Sequence, residues 1–209
     1  MTSMINIGIM ASGSGTNAES IMKECENGRL QGKAKISVLV CNKEGAYCME
    51  RATKHNITPE LVASADFKGT REEFDKLTVE VLKKHKVDLV CLAGYMRLVS
   101  PFFLEQFPKR VMNIHPALLP SFPGMHGYKD AVDYGVKISG CTVHFVDEKM
   151  DHGPIIVQKA LEVNFEDTED TLKERGLKLE HEAYPEAIEL FCDGRVEIIG
   201  RRVKIKEKH

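Results

Sequence analysis

A short apolar run, INIGIM at positions 5–10, breaks at ASGSGTN (11–17) and gives way to AESIMKECENG (18–28), a helix-compatible stretch that stops at Gly28. Strand, glycine turn and helix follow in that order. The alternation recurs as ISVLVC (36–41) before AYCMERATKH (46–55), a short strand around Leu61 before TREEFDKLTVEVLKKH (70–85), and then DLVCLAGY (88–95). Strands separated by helices pair in parallel, because the helix carries the chain back to the sheet end from which it left. The pattern therefore predicts an α/β chain with a Rossmann-like open sheet, mostly parallel, with helices on both faces. A chain of 209 residues fills one core and is short for two ordinary domains plus a linker, so a single domain over 1–209 is expected.

Beyond Met112 the character changes. NIHPALLPSFPGMHG (113–127) packs prolines and glycines too densely for regular structure beyond its first residues, and reads as a loop leaving a strand end. A short helix is expected near Lys129 to Tyr134. SGCTVHFV (139–146) and PIIVQKALEV (154–163) then read as two strands around the turn DEKMDHG, close enough to pair in antiparallel fashion near the C-terminus. A long helix from about Thr168 to Phe191 follows, with Thr168 or Asp167 as N-cap and Asp193-Gly194 as its stop. Leu177, Tyr184, Ile188 and Phe191 mark its expected buried face, and Glu180 and His181 fall between Leu177 and Tyr184 on it.

Charge narrows the partners. With a net charge of −2 there is no broad positive field to gather nucleic acid or an anionic membrane. The basic run Arg201, Arg202, Lys204, Lys206, Lys208 alternates with Val203 and Ile205 and reads as the solvated side of an edge strand. Apolar runs fall far short of the roughly 20 residues that cross a bilayer, and no signal peptide opens the sequence. Six cysteines without a CxxC pair, several inside apolar runs, read as small buried hydrophobes in a reducing compartment. The expected location is the cytoplasm, with small-molecule substrates, no nucleic acid, no membrane, and a monomer or homodimer.

The first glycine turn has the form GxGxxA at Gly13, Gly15 and Ala18, a dinucleotide fingerprint only when an acidic residue closes the second strand. Cys41, Asn42 and Lys43 stand there instead, and the Walker lysine is also missing. What remains is an anion site: glycines admit close approach, and the amides of Gly15, Thr16 and Asn17 at a helix start point at one phosphate.

Asn113 and His115 lie two apart at a strand end, so the pleat points both the same way, and Pro116 turns the chain aside to leave space before them. Asp151, in the turn KMDHGP, adds a carboxylate. Together they offer a neutral oxyanion donor, an imidazole that titrates near physiological pH, and a group to orient or charge it, which suits acyl transfer to an amine. No GxSxG elbow marks a nucleophilic serine, and the histidines lack a ligand spacing, so no metal is expected. The sequence assigns no role to His144.

GSGTN, LAGYMRL (92–98), NIHPALLPSFPG (113–124), SGCTVHFVDEKMDHGPII (139–156) and EHEAYP (180–185) together resemble the phosphoribosylglycinamide formyltransferases, a member family of the folate-dependent formyltransferases, over nearly the whole chain. The resemblance implies one formyltransferase domain that passes the formyl group of 10-formyltetrahydrofolate, as cosubstrate, to the amine of glycinamide ribonucleotide in purine synthesis. It assigns Asn113, His115 and Asp151 as catalytic residues, Gly15, Thr16 and Asn17 to the ribonucleotide phosphate, and Glu180 to its sugar or glycinamide part. Met96, Arg97, Leu98 and Val99 would line the pterin pocket, with Arg71 near the folate and Asp147 in the loop that closes on it. Loop 116–124 is expected to be a mobile flap over the ribonucleotide. His152 departs from the smaller or variable residue expected beside Asp151.

Two other readings stay open on sequence. Formyltetrahydrofolate deformylase shares the Asn, His and Asp set but carries an additional N-terminal domain; from another class, GxGxxA allows a non-catalytic dinucleotide-binding module.

Overall fold

The computed structural model describes residues 4–207, so Lys208 of the basic run lies outside the described residues. The chain divides into two compact units, Met1–Met112 and Asn113–His209. In the first, β1 (Ile5–Ala11), α1 (Thr16–Asn27), β2 (Ala34–Cys41), α2 (Tyr47–Lys54), β3 (Pro59–Leu61), α3 (Arg71–Lys84) and β4 (Leu89–Leu92) alternate as the sequence leads one to expect, and α4 (Pro101–Gln106) is a further helix the pattern did not single out. Their strand order is β3-β2-β1-β4, and β1 pairs in parallel with both β2 and β4. Ile7, Ile9, Met10 and Ala11 are fully buried. Each large aliphatic of this kind contributes about 1.5–3 kcal/mol on leaving water.

At Gly8 a helix comes close to this sheet. A Cβ there would stand 2.7 Å from Leu82 Cδ2 and 2.9 Å from Val87 Cγ2, so α3 and the turn after it seat against β1 only over a bare backbone. The start of α3 is fixed locally by Thr70, whose side chain accepts from the Glu73 amide while Glu73 accepts from the Thr70 amide.

The last three residues of β5 (Val111–His115) open the second unit, which continues with α5 (Gly127–Tyr134), β6 (Ile138–Phe145), β7 (Ile155–Glu162), α6 (Glu169–Cys192), β8 (Val196–Ile199) and β9 (Arg202–Ile205). β6 and β7 are antiparallel, as expected from their spacing, while β7 and β9 are parallel. The chain is thus α/β, mostly parallel in its pairing, with antiparallel pairs toward the C-terminus.

Two expectations change. The basic strand is not the edge: β9 pairs antiparallel with β8 and also meets β7 at Arg202, so the outer position in the order β7-β9-β8 belongs to β8. Alternating charge reports solvent on one face, which an inner strand can also have. On α6, whose N-cap is Thr168, Tyr184 and Ile188 are buried as expected, Leu177 and Phe191 are only half-buried, and the buried stripe also takes in Leu172, Gly176, Glu180, Ala183 and Ala187. Gly176 holds its place in the stripe because a Cβ there would fall 2.1 Å from Tyr128 Oη, and Glu180 lies on the buried side, as its place between Leu177 and Tyr184 implies. Of the cysteines, Cys41, Cys48, Cys91 and Cys141 are buried thiols, whereas Cys25 and Cys192 are half-buried.

Candidate active site

The glycine turn of the first unit has the geometry its composition implies. Gly15 is the N-cap of α1 in the left-handed region, φ 74°, and a Cβ on it would lie 2.5 Å from Cys48 Cβ. No side chain caps the helix from that position. The Gly13 carbonyl accepts from the Cys48 amide at 3.0 Å and the Ser14 carbonyl from Arg51 Nε at 2.9 Å, which fixes the turn to α2. Arg51 also pairs with Glu19.

Ser12 links this turn to the segment that follows β4. Its hydroxyl accepts from the Met96 amide at 2.8 Å and donates to Asn42 Oδ1 at 2.5 Å, and Asn42 in turn donates to Ser64. Asn42, at the place where a dinucleotide site needs an acid, is therefore a brace. Met96 and Leu98 are largely exposed, Val99 is buried, and the Arg97 guanidinium lies 4.1 Å from the centroid of Phe74. Exposed apolar side chains beside a braced turn can receive a flat ligand. Arg71 is the exposed first residue of α3.

In the second unit, the structure brings Asn113, His115 and Asp151 together. His115 is 2% exposed; its Nε2 donates to the Phe122 carbonyl at 2.7 Å, and its Nδ1 stands 3.4 Å from Asp151 Oδ2. Both neighbours are acceptors, so a ring protonated on both nitrogens satisfies both. Asp151 Oδ2 also accepts the Gly124 amide at 2.8 Å. Asp151 adopts φ 50°, a conformation that costs a non-glycine residue energy and is held here by the turn. Gly153 makes that turn possible, since a Cβ there would come within 1.8 Å of the Phe145 carbonyl.

His144, on β6, completes the cluster. Its Nδ1 donates to the Phe145 carbonyl at 2.8 Å, and its Nε2 lies 3.3 Å from Asn113 Nδ2 and 3.8 Å from Asp151 Oδ1. Burial pushes its pKa below 6.5 despite the attraction of Asp151. The two histidines thus differ in their nearest neighbours: two acceptors for His115, and for His144 an acceptor at Nδ1 with the Asn113 amide at Nε2.

Loop 116–124 is tethered along its length. Thr142 Oγ1 donates to the Ala117 carbonyl and accepts from the Leu119 amide, Gln158 Nε2 donates to the Leu119 carbonyl, and Phe122 and Gly124 are held by His115 and Asp151. Thr142 and Gln158 escaped the sequence reading; their one signal is a pair of polar residues facing each other across β6 and β7. Asp147 accepts from the Lys149 amide and pairs with His152 at 2.7 Å, so His152 steadies the turn that carries Asp151. Glu180 is 5% exposed on α6 and accepts from the Tyr128 hydroxyl at 2.6 Å; burial, with this carboxylate close by, drives the Tyr128 pKa up. Among the described residues no cluster of three or more His, Cys, Asp or Glu could hold a metal ion. No described helix is long and apolar enough to cross a membrane.

An amide and a histidine flanked by acceptors at the end of β5, with a carboxylate in the turn between β6 and β7, form an arrangement that suits transfer of a small acyl group. A family model for formyl transferase matches residues 5–188. Phosphoribosylglycinamide formyltransferase of Bacillus subtilis is 40% identical over 88% of this chain and 93% of its own length. The solved glycinamide ribonucleotide transformylase 1 of Symbiobacterium toebii superposes with a TM-score of 0.94 at 46% identity, covering 98% of this chain and 95% of that one. The trifunctional purine biosynthetic protein adenosine-3 of Chironomus tentans is 39% identical over 92% of this chain, which spans only 14% of that relative's length. The chain belongs to the formyl transferase family, and to its phosphoribosylglycinamide formyltransferase branch.

Proposed function

We propose that this chain transfers the formyl group of 10-formyltetrahydrofolate to the amine of glycinamide ribonucleotide, a step of purine biosynthesis, by direct attack through a tetrahedral intermediate. The observation that carries the reading is the meeting of Asn113, His115 and Asp151 in one cluster. The amine nitrogen bonds to the formyl carbon, the carbonyl electrons move onto oxygen, and their return expels the folate nitrogen. Asn113 supplies an N–H to the oxyanion. His115, with its ring nitrogens facing acceptors, supplies positive charge. Asp151 balances that charge and is the group available for the proton the amine sheds, while the leaving nitrogen takes one up.

We assign Gly15, Thr16 and Asn17 to the ribonucleotide phosphate, Glu180 to its polar end, and Arg71, Met96, Arg97, Leu98, Val99 and Asp147 to the folate. Residues 1–209 are read as one formyltransferase domain acting in the cytoplasm. The exposed apolar edge at Met96 and Leu98 supports the folate assignment, and the uncapped start of α1 supports the phosphate assignment.

The test is an absorbance assay for the folate product with and without glycinamide ribonucleotide. Strict dependence on the ribonucleotide is expected; turnover in its absence would mean a hydrolase. Asp151→Asn should lower kcat by about 10²–10⁴ with ribonucleotide affinity nearly unchanged. Near-normal turnover would remove Asp151 from the mechanism.

A further inference from the structure

His144 has no part in the chemistry described so far, yet it is 1% exposed and stands beside two of the three reacting side chains. We propose that His144 is the positioning residue for Asn113: a neutral imidazole carrying its proton on Nδ1, it accepts a hydrogen bond from Asn113 Nδ2 and so fixes which end of the amide faces the reacting group. The role in turnover rests on the formyl-transfer reading; the pairing itself does not.

The tautomer follows from the partners. The Phe145 carbonyl can only accept, so Nδ1, at 2.8 Å, must carry a proton. In the neutral ring Nε2 is then a bare acceptor. An amide presents a donor at one end and an acceptor at the other, with almost the same shape, and sterics alone hardly distinguish the two orientations. A bare Nε2 distinguishes them, because Oδ1 turned toward it would set lone pair against lone pair. With Nδ2 on His144, the second N–H of that nitrogen is left for an oxyanion.

Protonation of His144 would reverse this preference, since Nε2 would then donate, favour the flipped amide, and draw on Asp151 Oδ1 at 3.8 Å. Three charged or titratable groups face it. Asp151 and Asp147 favour the cation and His115 opposes it, and burial outweighs them toward the neutral form. The strand register shifts between Val143 and His144, and His144 pairs across to Ile155. The ring therefore sits at an irregularity, where a strand can re-aim a side chain.

Two measurements on the full chain test the proposal. In the free protein labelled with ¹⁵N-histidine, His144, identified by its loss in His144→Gln, should show a protonated Nδ1 and a pyridine-type Nε2 at neutral pH. In kinetics, His144→Leu should lose about 10- to 100-fold in kcat, less than the roughly 10²–10³ for outright loss of an oxyanion donor, with KM values little changed. His144→Gln, whose Oε1 can accept in place of Nε2, should recover most of that loss. Asn113→Ala with His144→Leu should be no slower than Asn113→Ala alone, because the second change acts through a group already gone.

A merely structural role would give equal losses in Leu and Gln and additive losses in the double variant; either result overturns the proposal, as does a protonated Nε2. If the wild-type protein failed to formylate glycinamide ribonucleotide while the ¹⁵N pattern held, the functional reading would fall and the His144–Asn113 pairing would stand.

Discussion

Replacing Gly176 with alanine sets two opposed effects against each other beneath Glu180. In an exposed helix the change would stabilise by about 1 kcal/mol, since alanine is the better helix former. Here the new Cβ would fall 2.1 Å from Tyr128 Oη and 2.3 Å from its Cζ. Tyr128 is 6% exposed and packed with Ala131, Leu172 and their neighbours, so the ring has little room to retreat. Overpacking of this kind costs about 1–3 kcal/mol. Moving the ring also breaks the 2.6 Å bond from its hydroxyl to Glu180, and a hydrogen bond to a charged group contributes about 1.5–3 kcal/mol. Less the helix gain, the net loss is about 1.5–5 kcal/mol, and at about 2–4 °C per kcal/mol a mid-range loss of about 3 kcal/mol lowers Tm by about 6–12 °C. Thermal unfolding followed by circular dichroism reads this directly. If Glu180 holds the ribonucleotide, its KM should rise more than kcat falls. An unchanged or higher Tm would refute the packing argument, because it would mean that Tyr128 yields at no cost.

Other perturbations probe the remaining parts. Gly15→Ala forces a Cβ into Cys48 at φ 74°; calorimetry should show ribonucleotide affinity weakened by at least about tenfold, equivalent to about 1.4 kcal/mol, and equal affinity would remove the turn from phosphate binding. The pH dependence of stability follows from His144, whose pKa in the fold lies below 6.5 because burial opposes the charge, with Asp151, Asp147 and His115 as the facing groups. The unfolded chain then binds the proton more readily. The contribution is intact above about pH 6.5 and is lost as pH falls from there through the depressed folded value. Urea unfolding across that range should show a shallower decline in His144→Gln than in wild type, and identical slopes would contradict the assignment.

Much of the site could be read from the chain because its signals are local. Gly15 is needed where the backbone turns left-handed into α1, Thr168 caps α6 through bonds to residues three positions away, and Asn113 and His115 share a face because they lie two apart on a strand that Pro116 ends. Each depends on covalent geometry and near neighbours, which sequence spacing specifies. The alternation that predicted a mostly parallel α/β chain is of the same kind.

Tertiary structure decided what depends on partners distant in sequence. Proximity of Asn113 to His144 joins residues 31 positions apart, and no spacing rule says which ring nitrogen would face the amide. Two acceptors gather around His115, whereas His144 has an acceptor at Nδ1 and the Asn113 amide at Nε2, so the same side chain meets different partners in the two places. The inner position of β9 was hidden because hydrophobic pattern reports burial of faces, not the order of strands. Likewise the buried stripe of α6 takes in Gly176 and leaves Leu177 and Phe191 half-buried, and the reason for the buried Glu180 is a partner 52 positions away, a tyrosine whose ring needs a bare backbone and whose hydroxyl needs an acceptor.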